Sequence, residues 1–131
     1  MNWLVKEEPT NYNFDALVRD GKTSWTGVRN PLAQKHLRSM KKGDRVFYYH
    51  TGDEKAIVGT ARVLSEPYPD PSDKDGKLWA VDIGPGKKLR APVTLARIKA
   101  DGRFAALPLV RMPRLSVMPL GDDDWSALET L

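Results

Sequence analysis

The chain predicts an α+β fold, a curled sheet or small barrel of five to six mainly antiparallel strands with peripheral helices. Three observations predict it. Apolar, aromatic and β-branched runs follow one another through residues 45–91 without an intervening helix, as neighbouring antiparallel strands do. Helix-start signals lie before and after that block instead of alternating with its strands. The 131 residues contain no repeat and no long linker, which fits one domain spanning 1–131 with a core of useful size.

Trp3-Leu4-Val5 is a short apolar run that reads as the first strand, ended by Pro9. Asn13 caps a helix over Phe14–Asp20, with Phe14, Leu17 and Val18 on one face and Gly21 as its stop. Residues 22–29 have neither helical nor strand periodicity and read as an ordered loop. Asn30-Pro31 is a strong helix start, an amide cap followed by proline at the first helical position. On that helix Ala33, Leu37 and Met40 recur on the core side, and Gln34, Lys35 and Arg38 face solvent or a partner. Lys41-Lys42 would complement the dipole in the last turn, and Gly43 would end it.

Arg45–His50 is an aromatic strand, and Ala56–Ser65 the next, across a hairpin-like connection at 51–55. Pro67, Pro69 and Pro71 mark a long irregular loop ending at Gly76. Leu78–Ile83 is a strand broken by Gly84-Pro85-Gly86, with pairing resuming over Lys87–Ala91 beyond a bulge. Thr94 caps a short helix through Ala100, and Pro108 limits any helix over 105–109. Leu115–Met118 forms a last strand stopped by Pro119. Three aspartates after Gly121 then open a final helix that buries Trp125, Leu128 and Leu131.

Composition narrows the function. There is no cysteine, which excludes thiol catalysis, disulfides and cysteine-ligated zinc. Acidic residues follow Trp3-Leu4-Val5 before any run long enough for a signal peptide, and no stretch approaches a membrane span, so the expectation is a cytoplasmic domain with no membrane partner. The formal net charge is +4, and Arg29–Arg45 concentrates six cations against the single Asp44, as suits an anionic partner. His36 and His50 lack ligand-like spacing to carboxylates, so no metal is expected. No Gly-x-Ser-x-Gly motif or dinucleotide fingerprint occurs. Glu7 and Glu8 diverge at a strand end, and Glu8 reads as a hydrogen-bonding or loop-pinning carboxylate.

What remains resembles a kit for holding a flat polar ligand. Trp25 is either a stacking plate for a base or a core tryptophan. Asn30 offers an amide to a base edge but also caps a helix. Arg29 can pair with Glu8, with a phosphate, or with neither. Tyr48 and His50 alternate with Phe47 and Tyr49, so one pair faces the core and the other a pocket or solvent.

Several stretches, in order, resemble the EVE domain: Trp3-Leu-Val-Lys-Glu-Glu-Pro9, Trp25-Thr-Gly-Val-Arg-Asn30, Gly43-Asp-Arg-Val-Phe-Tyr-Tyr-His50, Ala56-Ile-Val-Gly59, Glu66-Pro-Tyr-Pro-Asp70 and Arg114-Leu-Ser-Val-Met-Pro119. The resemblance spans essentially the whole chain. EVE domains belong to the PUA-like superfamily, with the YTH domains that read methylated adenine in RNA. The resemblance implies a PUA-like pseudo-barrel and a pocket for a flipped, modified base, typically a methylated or hydroxymethylated cytosine in DNA. It implies no catalytic activity, and no residue pattern asks for a cofactor.

Carried over by position, the base pocket comprises Lys6, Glu8 and Pro9, then Trp25, Gly27, Val28, Arg29 and Asn30, then Tyr49 and His50, then Arg114, Leu115 and Ser116. Glu7 and Pro113 depart from the family pattern, where Ser or Thr and a polar residue are common, and Glu7 joins the pocket set as a carboxylate that would alter its donors and acceptors. Lys35, Arg38, Lys41 and Lys42 would hold the phosphate backbone. The expected partner is nucleic acid carrying modified bases, with DNA ahead of RNA. The competing readings are a module for modified RNA such as tRNA, a small nucleotide-binding protein, and a protein-interaction domain.

Overall fold

The computed structural model describes residues 1–131. Its strands are Asn2–Glu7 (β1), Thr23–Trp25 (β2), Arg45–His50 (β3), Ala56–Val63 (β4), Tyr68–Pro69 (β5), Trp79–Thr94 (β6) and Val117–Leu120 (β7). Its helices are Pro9–Tyr12 (α1), Phe14–Asp20 (α2), Pro31–Arg38 (α3), Leu95–Ala100 (α4), Pro108–Arg111 (α5) and Asp122–Glu129 (α6). Six strands lie in the order β2-β6-β4-β3-β1-β7, and the two-residue β5 pairs with the start of β6. All pairs are antiparallel except β1 with β3, which run together from Asn2↔Arg45 to Glu7↔His50. The sheet curls into a half-barrel, and α3 packs against both β6 and β7, near its two margins. This is the α+β, PUA-like architecture expected. No helix is long and apolar enough to cross a membrane.

Strand alternation sorts the core onto two faces. Trp3 and Val5 share a face with Tyr48. There Tyr48 meets Phe14 of α2 and Trp25 edge-on, with ring centroids 5.6 and 5.7 Å apart, and Trp3 lies beside His36 of α3. Leu4 and Phe47 point the other way, where Phe47 stacks on Trp125 of α6 at 3.7 Å. Both faces are therefore covered, and Val46 to His50 are all buried. Burying each large apolar side chain contributes roughly 1.5–3 kcal/mol, so the aromatic strand is a principal source of stability. Gly59 gives Phe14 room to reach Tyr48, since a methyl there would lie 2.5 Å from the Phe14 ring.

The caps are built as their residues dictate. Asn13 accepts a hydrogen bond from the Ala16 N–H, Asn30 from Ala33 and Thr94 from Arg97, and Gly21 ends α2 in the left-handed region at φ 78°.

Six expectations need correction. Val18 does not join Phe14 and Leu17 in the core but is exposed on α2. Residues 22–29 are not wholly loop, because Thr23–Trp25 pairs with Val81–Ile83. Strand β6 runs unbroken through Gly84-Pro85-Gly86; register shifts in the β4–β6 ladder let Pro85 oppose Ala61. Pro119 lies inside β7 opposite Trp3, which an edge strand tolerates. Helix α3 ends at Arg38, so Lys41 and Lys42 sit beyond it, in the turn before β3. Gln34 is buried: its amide donates to the Val28 and Trp79 carbonyls at 2.7 and 3.1 Å and accepts from the Trp79 N–H at 2.9 Å.

Candidate nucleic-acid interface

The parallel strands β1 and β3 finish side by side, so residues 6–9 and 49–50 emerge at one end of the half-barrel. Strand β7 starts at that same end, because Val117 pairs with Val5 and the Lys6 N–H donates to the Ser116 carbonyl. Helix α3 begins close by. Between its first turn and the 111–115 segment lies an open cleft of about 380 Å³, lined by Asn30, Leu32, Arg111, Met112, Pro113, Arg114 and Leu115.

Two distant parts of the predicted site thus meet there, Asn30 from the central motif and Arg114-Leu115 from the late one. Asn30 is exposed. Its Oδ1 accepts from the Ala33 N–H at 3.0 Å, while its Nδ2 has no partner in the protein. The side chain can therefore cap α3 with one atom and donate to a ligand with the other.

Lys6 supports the far wall. It lies on the α6 side of the sheet with its ammonium 5.5 Å above the buried Tyr49 ring, and it donates to the Pro113 carbonyl at 3.0 Å. Burial lowers the Lys6 pKa and raises that of Tyr49. Tyr49, Lys6 and Pro113 thus form a stack that fixes the cleft wall from behind. Ser116 is half-buried and Leu115 fully buried.

Glu7 points to the opposite face of β1 from Lys6 by strand alternation. Burial raises its pKa, against the Glu8 N–H that donates to its Oε1 at 2.9 Å. Glu8 turns to the β3–β4 connection, accepting from Thr51 at 3.3 Å and Thr10 at 3.4 Å. It forms no ion pair with Arg29 and acts as a loop pin. Pro9 is the first residue of α1.

Trp25 is only 6% exposed and packs edge-on against Tyr48, so most of its surface belongs to the core. Val28 is buried beside it, and Arg29 is exposed. Gly27 takes φ 71° and donates its N–H to Asp70 Oδ2 at 2.7 Å. His50 has both nitrogens occupied. Nε2 accepts from the Phe14 N–H at 3.1 Å, which leaves Nδ1 to donate to Glu54 at 2.6 Å. Neither nitrogen faces the cleft, so His50 joins β3 to α2 and the following turn.

Asp70 is a site residue that sequence reasoning missed. It is 3% exposed, yet its pKa is lowered: burial works to raise it, but hydrogen bonds from the Ser72 hydroxyl, the Gly27 N–H and the Ser72 N–H outweigh burial. It holds the Trp25–Asn30 stretch in place. The signal was present in the Glu66-Pro-Tyr-Pro-Asp70 run, as an acid set between Pro69 and Pro71.

Three groups of exposed cations stand out. Arg111 and Arg114 line the cleft, and the exposed Arg29 precedes its Asn30. Lys35 and Arg38 lie along α3, where Arg38 sits 5.9 Å over the Trp79 ring, and Lys41 and Lys42 lie past its end. Lys87, Lys88, Arg90 and Arg97 line a separate cleft of about 460 Å³ beside β6 and α4. No three His, Asp or Glu side chains gather in a way that could hold a metal.

Comparison with known proteins agrees with this architecture. The sequence model of the EVE domain matches residues 1–131. Human thymocyte nuclear protein 1 is 29% identical over 164 aligned residues, covering 99% of this chain and 73% of that protein. Among solved structures, Rpa0253 from Rhodopseudomonas palustris superposes with a TM-score of 0.94 at 45% identity, covering 98% of this chain and 90% of that one. A crystal structure of human THYN1 protein in complex with 5-methylcytosine containing DNA superposes with a TM-score of 0.91 at 26% identity, covering 98% and 95%. The chain belongs to the EVE domain family.

Proposed function

We propose that the chain is a non-catalytic reader of a modified base in DNA, methylated or hydroxymethylated cytosine first, and that the cleft between α3 and residues 111–115 receives the base. The observation that carries this is the divided amide of Asn30, one atom capping the helix and the other unpartnered at the cleft. A fixed donor at a base edge discriminates because a base without the matching acceptor leaves it unpaired. Leu32, Pro113 and Leu115 give the cleft apolar surface for the base, and Arg29, Arg111 and Arg114 suit the flanking phosphates. The similarity to human THYN1 protein in complex with 5-methylcytosine containing DNA favours DNA over RNA.

The test is fluorescence anisotropy on duplexes that differ only in carrying cytosine, 5-methylcytosine or 5-hydroxymethylcytosine. Asn30→Asp keeps a good helix cap but replaces the free donor by a carboxylate. It should weaken binding to the modified duplex several-fold while keeping the wild-type melting temperature within a few degrees. Undiminished affinity in this variant would remove Asn30 from the reading edge. Modified RNA of equal length as competitor decides the polymer.

A further inference from the structure

Four large apolar side chains are exposed, Met1, Val18, Leu64 and Met112, and only Met112 lines the cleft. It is 43% exposed and stands between Arg111 and Arg114. The segment that carries it is stiff. Its N–H donates to the Pro108 carbonyl at 2.7 Å, and its carbonyl accepts from the Leu115 N–H at 3.0 Å. Pro113 follows directly, which restricts the backbone of Met112 and keeps it out of the helical region, at φ −127° and ψ 73°. The Lys6 ammonium holds the Pro113 carbonyl, and Leu109 and Leu115 anchor the segment in the core on either side. An apolar side chain that gains nothing from solvent is thus held outward on a braced loop, with a cation before and after it.

We propose that Met112 is a wedge that enters the base stack at the step vacated by the flipped base, with Arg111 and Arg114 on the adjoining phosphates. The proposal rests on the base-reading function above and adds how the duplex is opened. Extracting a base costs unstacking and unpairing, and proteins that distort duplexes commonly offset this by inserting an apolar side chain between base planes. Methionine suits that task because its thioether chain is slim, flexible and polarisable. The cost exists only in a duplex. A single strand presents its base without a stack to open, so the wedge should matter for one substrate and not for the other.

The experiment compares wild type, Met112→Ala, Met112→Gln and Met112→Leu on the same 5-methylcytosine oligonucleotide, single-stranded and duplex. A 2-aminopurine next to the modified base reports unstacking. Alanine and glutamine should weaken duplex binding by about tenfold and lower the 2-aminopurine signal, while leucine stays near wild type. Single-strand affinity should fall by clearly less than duplex affinity in the alanine and glutamine variants. Equal losses on both substrates would make Met112 a pocket wall and overturn the wedge, as would unchanged duplex binding. Either result leaves the wild-type preference for modified DNA standing. Absence of that preference in the wild type would instead overturn the base-reading function, and the wedge with it.

Discussion

Glu7 is half-buried at the end of β1, and its environment carries a cost that a neutral side chain would not. Burial favours its neutral form, so the folded chain holds this proton more tightly than the unfolded chain does. Stability contributed by the group therefore falls as pH rises from the ordinary value of 4.5 to the raised folded value. Glu7→Gln keeps an oxygen for the Glu8 N–H and removes the buried charge. It should raise the urea midpoint at pH 7, and the gain should vanish at about pH 4, where the unfolded chain also holds the proton. An equal gain at both pH values would mean that the charge is not the cause. Trp25 argues differently at the same scale. Because it is 6% exposed, its removal would open a core cavity, and weaker binding in Trp25→Ala would not distinguish stacking from unfolding.

Among the elements, those with local causes were legible in the sequence. Asn13, Asn30-Pro31, Thr94 and Gly21 fix helix ends through their own side chains or backbone freedom, and each sits at the predicted boundary. Elements with distant causes were not legible. Strand β2 exists because Val81–Ile83 offers it a ladder, and no periodicity within three residues could announce that. Gln34 reads as solvent-facing because its type is polar, yet its partners are backbone groups of Val28 and Trp79. The candidate site divides in the same way. Its motifs were readable in order, but which of them meet depends on β1 and β3 running parallel and on α3 returning to β7. Gln34 ties α3 to Val28 and to the start of β6, so Gln34→Leu should cost roughly 1–3 kcal/mol in urea denaturation by leaving buried backbone groups unpaired. A cost under about 0.5 kcal/mol would show that α3 is held by packing alone.

For the whole molecule the charge distribution matters more than any one side chain. Lys41 and Lys42 lie past the far end of α3, whose eight residues put them beyond roughly 12 Å from the Asn30 cap. At that distance they reach phosphates away from the flipped base. Replacing both by alanine should weaken modified and unmodified duplexes equally. The slope of log affinity against log salt should become shallower by about 0.9 for each phosphate no longer neutralised. A change confined to modified DNA would place these lysines in base reading. Helix α3 has one more consequence. It touches β6 and β7, strands that lie far apart in the sheet, and its first turn forms one wall of the cleft. A ligand joining Asn30 to Arg114 would therefore act as a clasp across the seam of the half-barrel. Amide hydrogen exchange in Val117–Leu120 and in the β6 residues against α3 should slow together when modified duplex binds, while the centre of β3 and β4 stays unchanged. Slowing confined to residues 111–116 would mean that the seam is already shut, and that the molecule pays nothing in mobility for leaving its cleft open.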